Sequence, residues 1–313
     1  MKYTVASETQ HTLEFSNWNE FVRYANETPS DMPQEKRASL KFRPVRFRYN
    51  APRLSNQGTA NFPEAIAYAT QGWADGVAYT KETIAHLNIP AVRAKTTTRF
   101  SPHGPGSLSM GRYINGHPKP VAILKDTLNV SKGRARSGGI VRLGINISQS
   151  YKVSAADRWQ YGCVILTLIE MLERYGKQVE LTLFNAVSAM STRVGALSRS
   201  ELNALPYIRQ SVKLKSAGER SNISILSFAL GNAATQRRLC WAVRETLPSE
   251  IREVHAIGFG GGGYGVPDPL WHDEDMTLLP GLGIGIEEFQ LPSTRIAWLQ
   301  TQLRNQGIEW DGK

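Results

Sequence analysis

Oxygen-bearing side chains at alternate positions close one apolar stretch of this chain. Asn146, Ser148 and Ser150 follow Leu143-Gly144-Ile145 and come just before a helix-capping signature at Ser154. Side chains two apart at the end of a strand fall on one side of its sheet, and ligands of open α/β sheets bind beyond the strands' carboxyl ends. Oxygen ligands so placed suit a hard cation such as Mg²⁺, which keeps several waters and takes few protein ligands. The same residue types also suit a tight strand–helix turn, where Asn and Ser satisfy backbone groups.

Other motifs point to less chemistry. Gly258-Phe259-Gly260-Gly261-Gly262-Gly263 spells Gly-x-Gly-x-x-Gly, but the chain continues into Tyr264-Gly265-Val266-Pro267, which does not open the helix that a pyrophosphate needs. No Gly-Lys-Ser/Thr triplet exists for a phosphate loop. His272-Asp273-Glu274-Asp275 reads as an acidic solvated turn, and the six histidines show no metal-type spacing. Cys163 and Cys240 lie in apolar helical contexts and are expected to be buried free thiols. No nucleophile–base pair stands out, so the sequence predicts a non-enzymatic protein.

Charge says more about partners. The chain of 313 residues carries a formal charge of +10. Residues 1–150 contribute +10, residues 151–250 contribute +5, and residues 251–313 subtract 5. Two stretches concentrate the surplus. Lys41, Arg43, Arg46 and Arg48 interleave with Phe47 in the first, and Lys132, Arg134 and Arg136 lie among glycines in the second. Cations that track phosphates beside rings that stack on bases suit single-stranded nucleic acid. The first stretch also alternates as a half-buried strand would, and the second also fits a surface connector. These eight residues are the candidate nucleic-acid contacts. Self-association or a protein partner, steered by the basic body and acidic tail, is the alternative. No run of about 18 apolar residues predicts a membrane span, and the start of the chain lacks a signal peptide's apolar stretch. A cytoplasmic location is therefore expected.

The elements that must position these residues change style along the chain. Residues 1–125 read as an irregular α+β region, with helices expected after Ser16, after Asn61 and over Lys81 to Leu87. Residues 101–120 are rich in Gly and Pro and predict loops. Residues 126–313 alternate strands and helices. Strands are expected at Ile140–Ile147, Val179–Phe184, Asn222–Phe228, Glu253–Phe259 and Ile308–Trp310. Helices are expected from Ser154 to about Tyr175, over Asn232–Leu247 and over Ser293–Arg304. That order predicts an α/β, Rossmannoid fold, with a mostly parallel sheet and helices on both faces.

The stretch Asn146-Ile147-Ser148-Gln149-Ser150 resembles the metal-ion-dependent adhesion site of von Willebrand factor type A domains, whose first strand ends in Asp-x-Ser-x-Ser. The following helix, the strand Val179–Phe184, the segment Gly231–Thr235 and the strand Val254–Gly258 continue the resemblance over roughly residues 140–265. It implies metal ligation by Asn146, Ser148, Ser150 and Thr235. Two departures weaken that site. Asn146 stands where the family has Asp, and Gly258-Phe259-Gly260 stands where it has an acidic residue. Without those carboxylates the site is expected to hold Mg²⁺ weakly or not at all, and no other cofactor is expected. The whole chain also resembles a family of tailed-bacteriophage proteins, through Trp18-Asn19-Glu20-Phe21, Gly72-Trp73-Ala74-Asp75-Gly76 and Gly111-Arg112-Tyr113-Ile114-Asn115-Gly116. That resemblance implies a phage origin.

Overall fold

The computed structural model describes residues 1–7, 10–29, 57–86, 94–102, 107–119, 121–128, 139–149, 153–188, 207–254, 266–267, 277–279 and 292–308. The chain opens with an antiparallel hairpin of β1 (Lys2–Ser7) and β2 (Gln10–Phe15). Alternation in β2 sends His11, Leu13 and Phe15 inward. Helix α1 (Trp18–Glu27) follows, with its first turn capped one residue later than the sequence suggests. Ser16 donates its hydroxyl to the Glu20 carboxylate at 2.7 Å, and Asn17 Oδ1 takes the Glu20 N–H at 2.9 Å. Helix α2 (Phe62–Gln71) starts as expected, with Asn61 as cap and Pro63 in the first turn. Helix α3 (Ala74–His86) begins seven residues before the expected Lys81.

The Gly/Pro-rich region holds regular structure that composition hides. β3 (Ala94–Ser101), β4 (Ser107–Leu108) and β5 (Val121–Leu128) make a separate three-stranded antiparallel sheet in the order β3-β5-β4. A short helix, α4 (Met110–Ile114), lies between β4 and β5. The 125/126 division of the sequence falls inside β5. β1 and β2, meanwhile, belong to the main sheet.

That sheet is mixed and runs β1-β2-β8-β7-β6-β10, with β9 (Val266–Pro267) paired to β7. β6 (Ile140–Asn146) has parallel neighbours on both sides, β7 (Gln178–Ser188) and β10 (Thr277–Leu279). β8 (Tyr207–Lys215) is antiparallel to β7 and parallel to β2. From Leu183 to Val187 every residue of β7 is buried, so both faces of the sheet are covered there. The chain is thus α/β.

The long helix α5 (Ala155–Arg174) joins β6 to β7, with Ser154 as cap; twelve of its 20 residues are buried, which is why it shows no amphipathic stripe. It packs on α6 (Ile223–Gly231). The expected strand at Asn222–Phe228 is therefore a helix. Asn222 caps it, and burial of Leu226 to Gly231 overrides the β preference of Ile223 and Ile225. A π-helical segment, Thr235–Cys240, then runs into α7 (Trp241–Glu245), matching the expected helix before Pro248. The expected strand at Glu253–Phe259 is corrected at its start only. Its first two residues end α8 (Ser249–Val254), and His255–Phe259 lie outside the described residues. Helix α9 (Pro292–Asn305) agrees with expectation, and Ile308 follows it as a buried residue outside any strand. Both cysteines are free and buried.

Candidate nucleic-acid interface and the strand-end turn

The oxygen side chains beyond β6 are turned to backbone groups. Asn146 Oδ1 accepts from Ser148 N at 2.9 Å, and Ser148 Oγ accepts from Ala186 N of β7 at 2.6 Å. Thr235 Oγ1 donates to the Phe228 carbonyl at 2.9 Å, which closes the end of α6. All three residues are buried, and Ser150 lies outside the described residues. Among the described residues no three His, Cys, Asp or Glu side chains group where an ion could sit. The arrangement ties a tight turn together. Ser148→Ala strips the partner from a buried N–H and is expected to destabilise the fold by about 1–3 kcal/mol, read by urea denaturation.

The turn is also held from outside. Arg158 Nη1 donates to Ile147 O at 2.9 Å, Gln236 Nε2 to Gln149 O at 3.1 Å, and Arg237 Nη2 to Val153 O at 2.7 Å. Arg158 also reaches Leu230 O at 2.9 Å through Nε. Burial pushes Arg158 and Arg237 down to about 10, so both are still cations at neutral pH. Arg238 and Arg244 are buried too, donating to Thr59 O and Asn185 Oδ1 respectively. Sequence alone gives no hint that these four arginines are interior. Much of the +5 carried by residues 151–250 is therefore shielded from any polyanion.

A denser run of basic residues lies elsewhere in the sequence. Residues 91–139 hold Arg93, Lys95, Arg99, Arg112, Lys119, Lys125, Lys132, Arg134 and Arg136 against one acidic residue, Asp126. Three of them, Lys95, Arg99 and Lys125, lie in strands of the β3-β5-β4 sheet. Its register pairs Lys95 with Thr127, Thr97 with Lys125 and Arg99 with Ile123, so positions 95, 99 and 125 share one face. Leu108, paired with Val121, falls on that face as well.

Beside it stands an exposed, hydrogen-bonded turn. Arg112 lies 4.0 Å from the Phe100 ring centroid, donates through Nε to Lys119 O at 3.2 Å, and through Nη2 to His117 Nδ1 at 2.9 Å. Gly116 takes the positive φ of +63° that lets the chain reverse. Leu108, Met110, Tyr113 and Ile114 are 47%, 57%, 59% and 74% exposed, four of the eight exposed large apolar side chains among the described residues. The sequence-predicted contacts Lys41, Arg43, Arg46, Phe47, Arg48, Lys132, Arg134 and Arg136 lie outside the described residues. Sequence reasoning missed Arg112, Tyr113 and Lys119. The absence of any Asp or Glu from Thr83 to Lys125 was the available signal.

A family model described as a domain of unknown function (DUF7192) matches residues 4–309. The chain belongs to the DUF7192 family. The match takes in both the β3-β5-β4 sheet and the larger mixed sheet, so both are parts of the DUF7192 unit. No curated protein and no solved structure matches this DUF7192 chain. Among its described residues no helix is long and apolar enough to cross a membrane.

Proposed function

We propose that this DUF7192 protein binds nucleic acid, single-stranded by preference, through a basic surface built on the β3-β5-β4 sheet and its flanks. The observation that carries the reading is charge segregation: nine basic residues against one acidic residue in 91–139, while Arg158, Arg237, Arg238 and Arg244 of the α/β body are buried. Lys41, Arg43, Arg46, Phe47, Arg48, Lys132, Arg134 and Arg136 are proposed as further contacts to the same nucleic acid. In this reading the protein is a non-enzymatic phage accessory factor acting in the cytoplasm of an infected bacterium. The β6–α5–β7 unit supports a von Willebrand factor A-like body, with the side chains of its metal-like turn given over to structure.

Fluorescence anisotropy with a labelled oligo-dT of about 20 nucleotides across a salt series tests the reading. Release of counterions from several phosphates predicts a linear fall of log K with log salt, on the order of a hundredfold between roughly 50 and 200 mM. Replacing Arg134 and Arg136 by Ala is expected to weaken binding and flatten that slope. Absence of binding at the lowest salt contradicts the proposal. It would favour instead a protein-interaction module, for which the exposed Tyr3 and Val5 on edge strand β1, with Met1 just before it, are the supporting observation.

A further inference from the structure

We infer that the turn Leu108–Lys119 is a base-stacking platform, with Tyr113 as the ring that meets an unpaired base; this rests on the nucleic-acid reading above. Exposed apolar groups clustered within seven residues mark an interaction site rather than scattered surface. Charge selects the occupant. Six Lys and Arg and no Asp or Glu lie from Thr83 to Lys125, so the segment that carries this patch complements a polyanion in charge. A polyanion that also offers flat apolar faces is single-stranded nucleic acid, since a duplex keeps its base faces stacked inside.

The geometry is preorganised for such contact. Tyr113 N donates to Ser109 O at 2.9 Å, Gly116 N to Tyr113 O at 3.0 Å, and His117 N to Arg112 O at 2.9 Å. Arg112 pins the turn to Phe100 on one side and to Lys119 O on the other. Tyr113 and Ile114 are thus held out into solvent by a backbone that needs little further ordering, and the cost of binding falls accordingly. Lys119, exposed at the end of the turn, is placed to meet a phosphate flanking the stacked base.

The test compares wild-type full chain with Tyr113→Ala and Tyr113→Phe on labelled oligo-dT and on a hairpin duplex of similar length. Thermal unfolding checks that these surface changes leave the fold intact. Stacking predicts that Tyr113→Ala weakens oligo-dT binding roughly tenfold with an unchanged salt slope. Tyr113→Phe and wild type should agree within about twofold, and duplex affinity should move by less than about twofold in either variant. Equal oligo-dT affinity of wild type and Tyr113→Ala overturns the platform while leaving the basic surface standing. So does an equal loss on both oligonucleotides. Wild type that binds neither oligonucleotide removes the nucleic-acid reading and the platform with it. Tyr113-dependent retention on phosphatidylglycerol-containing vesicles, without oligonucleotide binding, would reassign the turn to a lipid surface.

Discussion

Gly162→Ala is expected to unfold or severely destabilise the protein, although Ala is ordinarily the better helix former. A Cβ at Gly162 would stand 2.4 Å from Gly231 Cα, 2.7 Å from Gly231 N and 2.9 Å from the Leu230 carbonyl carbon. All three are backbone atoms of α6, and Gly231 is already the smallest residue, so no rotamer change relieves the clash. Helix α5 or α6 must move apart across a core that includes Ile165, Phe228 and Leu230. Overpacking of this kind costs about 3 kcal/mol or more, against about 1 kcal/mol gained in helix propensity. The clash wins. Gly231→Ala is the internal control. Its Cβ would meet nothing nearer than 3.8 Å, so stability should change by less than about 1 kcal/mol. Urea denaturation of both variants measures the difference, and equal midpoints would contradict the tight α5–α6 crossing.

Arg158→Met carries the second large effect. It removes the donors to Ile147 O and Leu230 O, leaving two buried carbonyls without that guanidinium and the strand-end turn without one of its ties. Relief of a buried cation offsets part of this loss, because Arg158 is fully buried and burial lowers its pKa to about 10. Two unmet acceptors at about 1–3 kcal/mol each outweigh that relief, for a net loss of about 2–4 kcal/mol. The folded variant should nevertheless bind oligo-dT within about twofold of wild type and with the same salt slope, since Arg158 faces no solvent. A flattened slope would show that interior arginines take part in polyanion binding.

These two variants also show what the sequence makes legible. The β6–α5–β7 unit could be read directly, because Val141, Leu143 and Ile145 lead into a Ser154 cap and a long apolar helix. Helix α6 could not. Its apolar run of Ile223 to Leu230 fits a strand as well as a helix, and the burial of Leu226 to Gly231 against α5 decides its form. Strand β8 escaped because Gln210 interrupts its apolar pattern, and Gln210 is buried because its amide donates to Cys240 O at 3.0 Å, thirty residues away. Asn146 and Ser148 were recognisable as a strand-end pair, but their use depends on Ala186, 38 residues beyond Ser148. The charge of the first 150 residues was legible, and it is what motivates the nucleic-acid proposal. What sequence counts could not separate is surface from interior, so the buried arginines inflated the apparent surplus of the middle of the chain. Composition likewise hid the exposed turn around Tyr113, since nothing in Gly111–Gly116 marks those residues as solvent-facing.

Hydrogen–deuterium exchange of the wild-type full chain, with and without saturating oligo-dT at low salt, tests the central claim most directly. The account predicts slowed exchange in peptides covering β3, α4 and β5, from Ala94 to Leu128. It predicts little change in α5, α6 and the Asn146–Gln149 turn. Protection confined to that strand-end turn, or no protection anywhere under conditions where the oligonucleotide is bound, would contradict a nucleic-acid interface on the basic sheet.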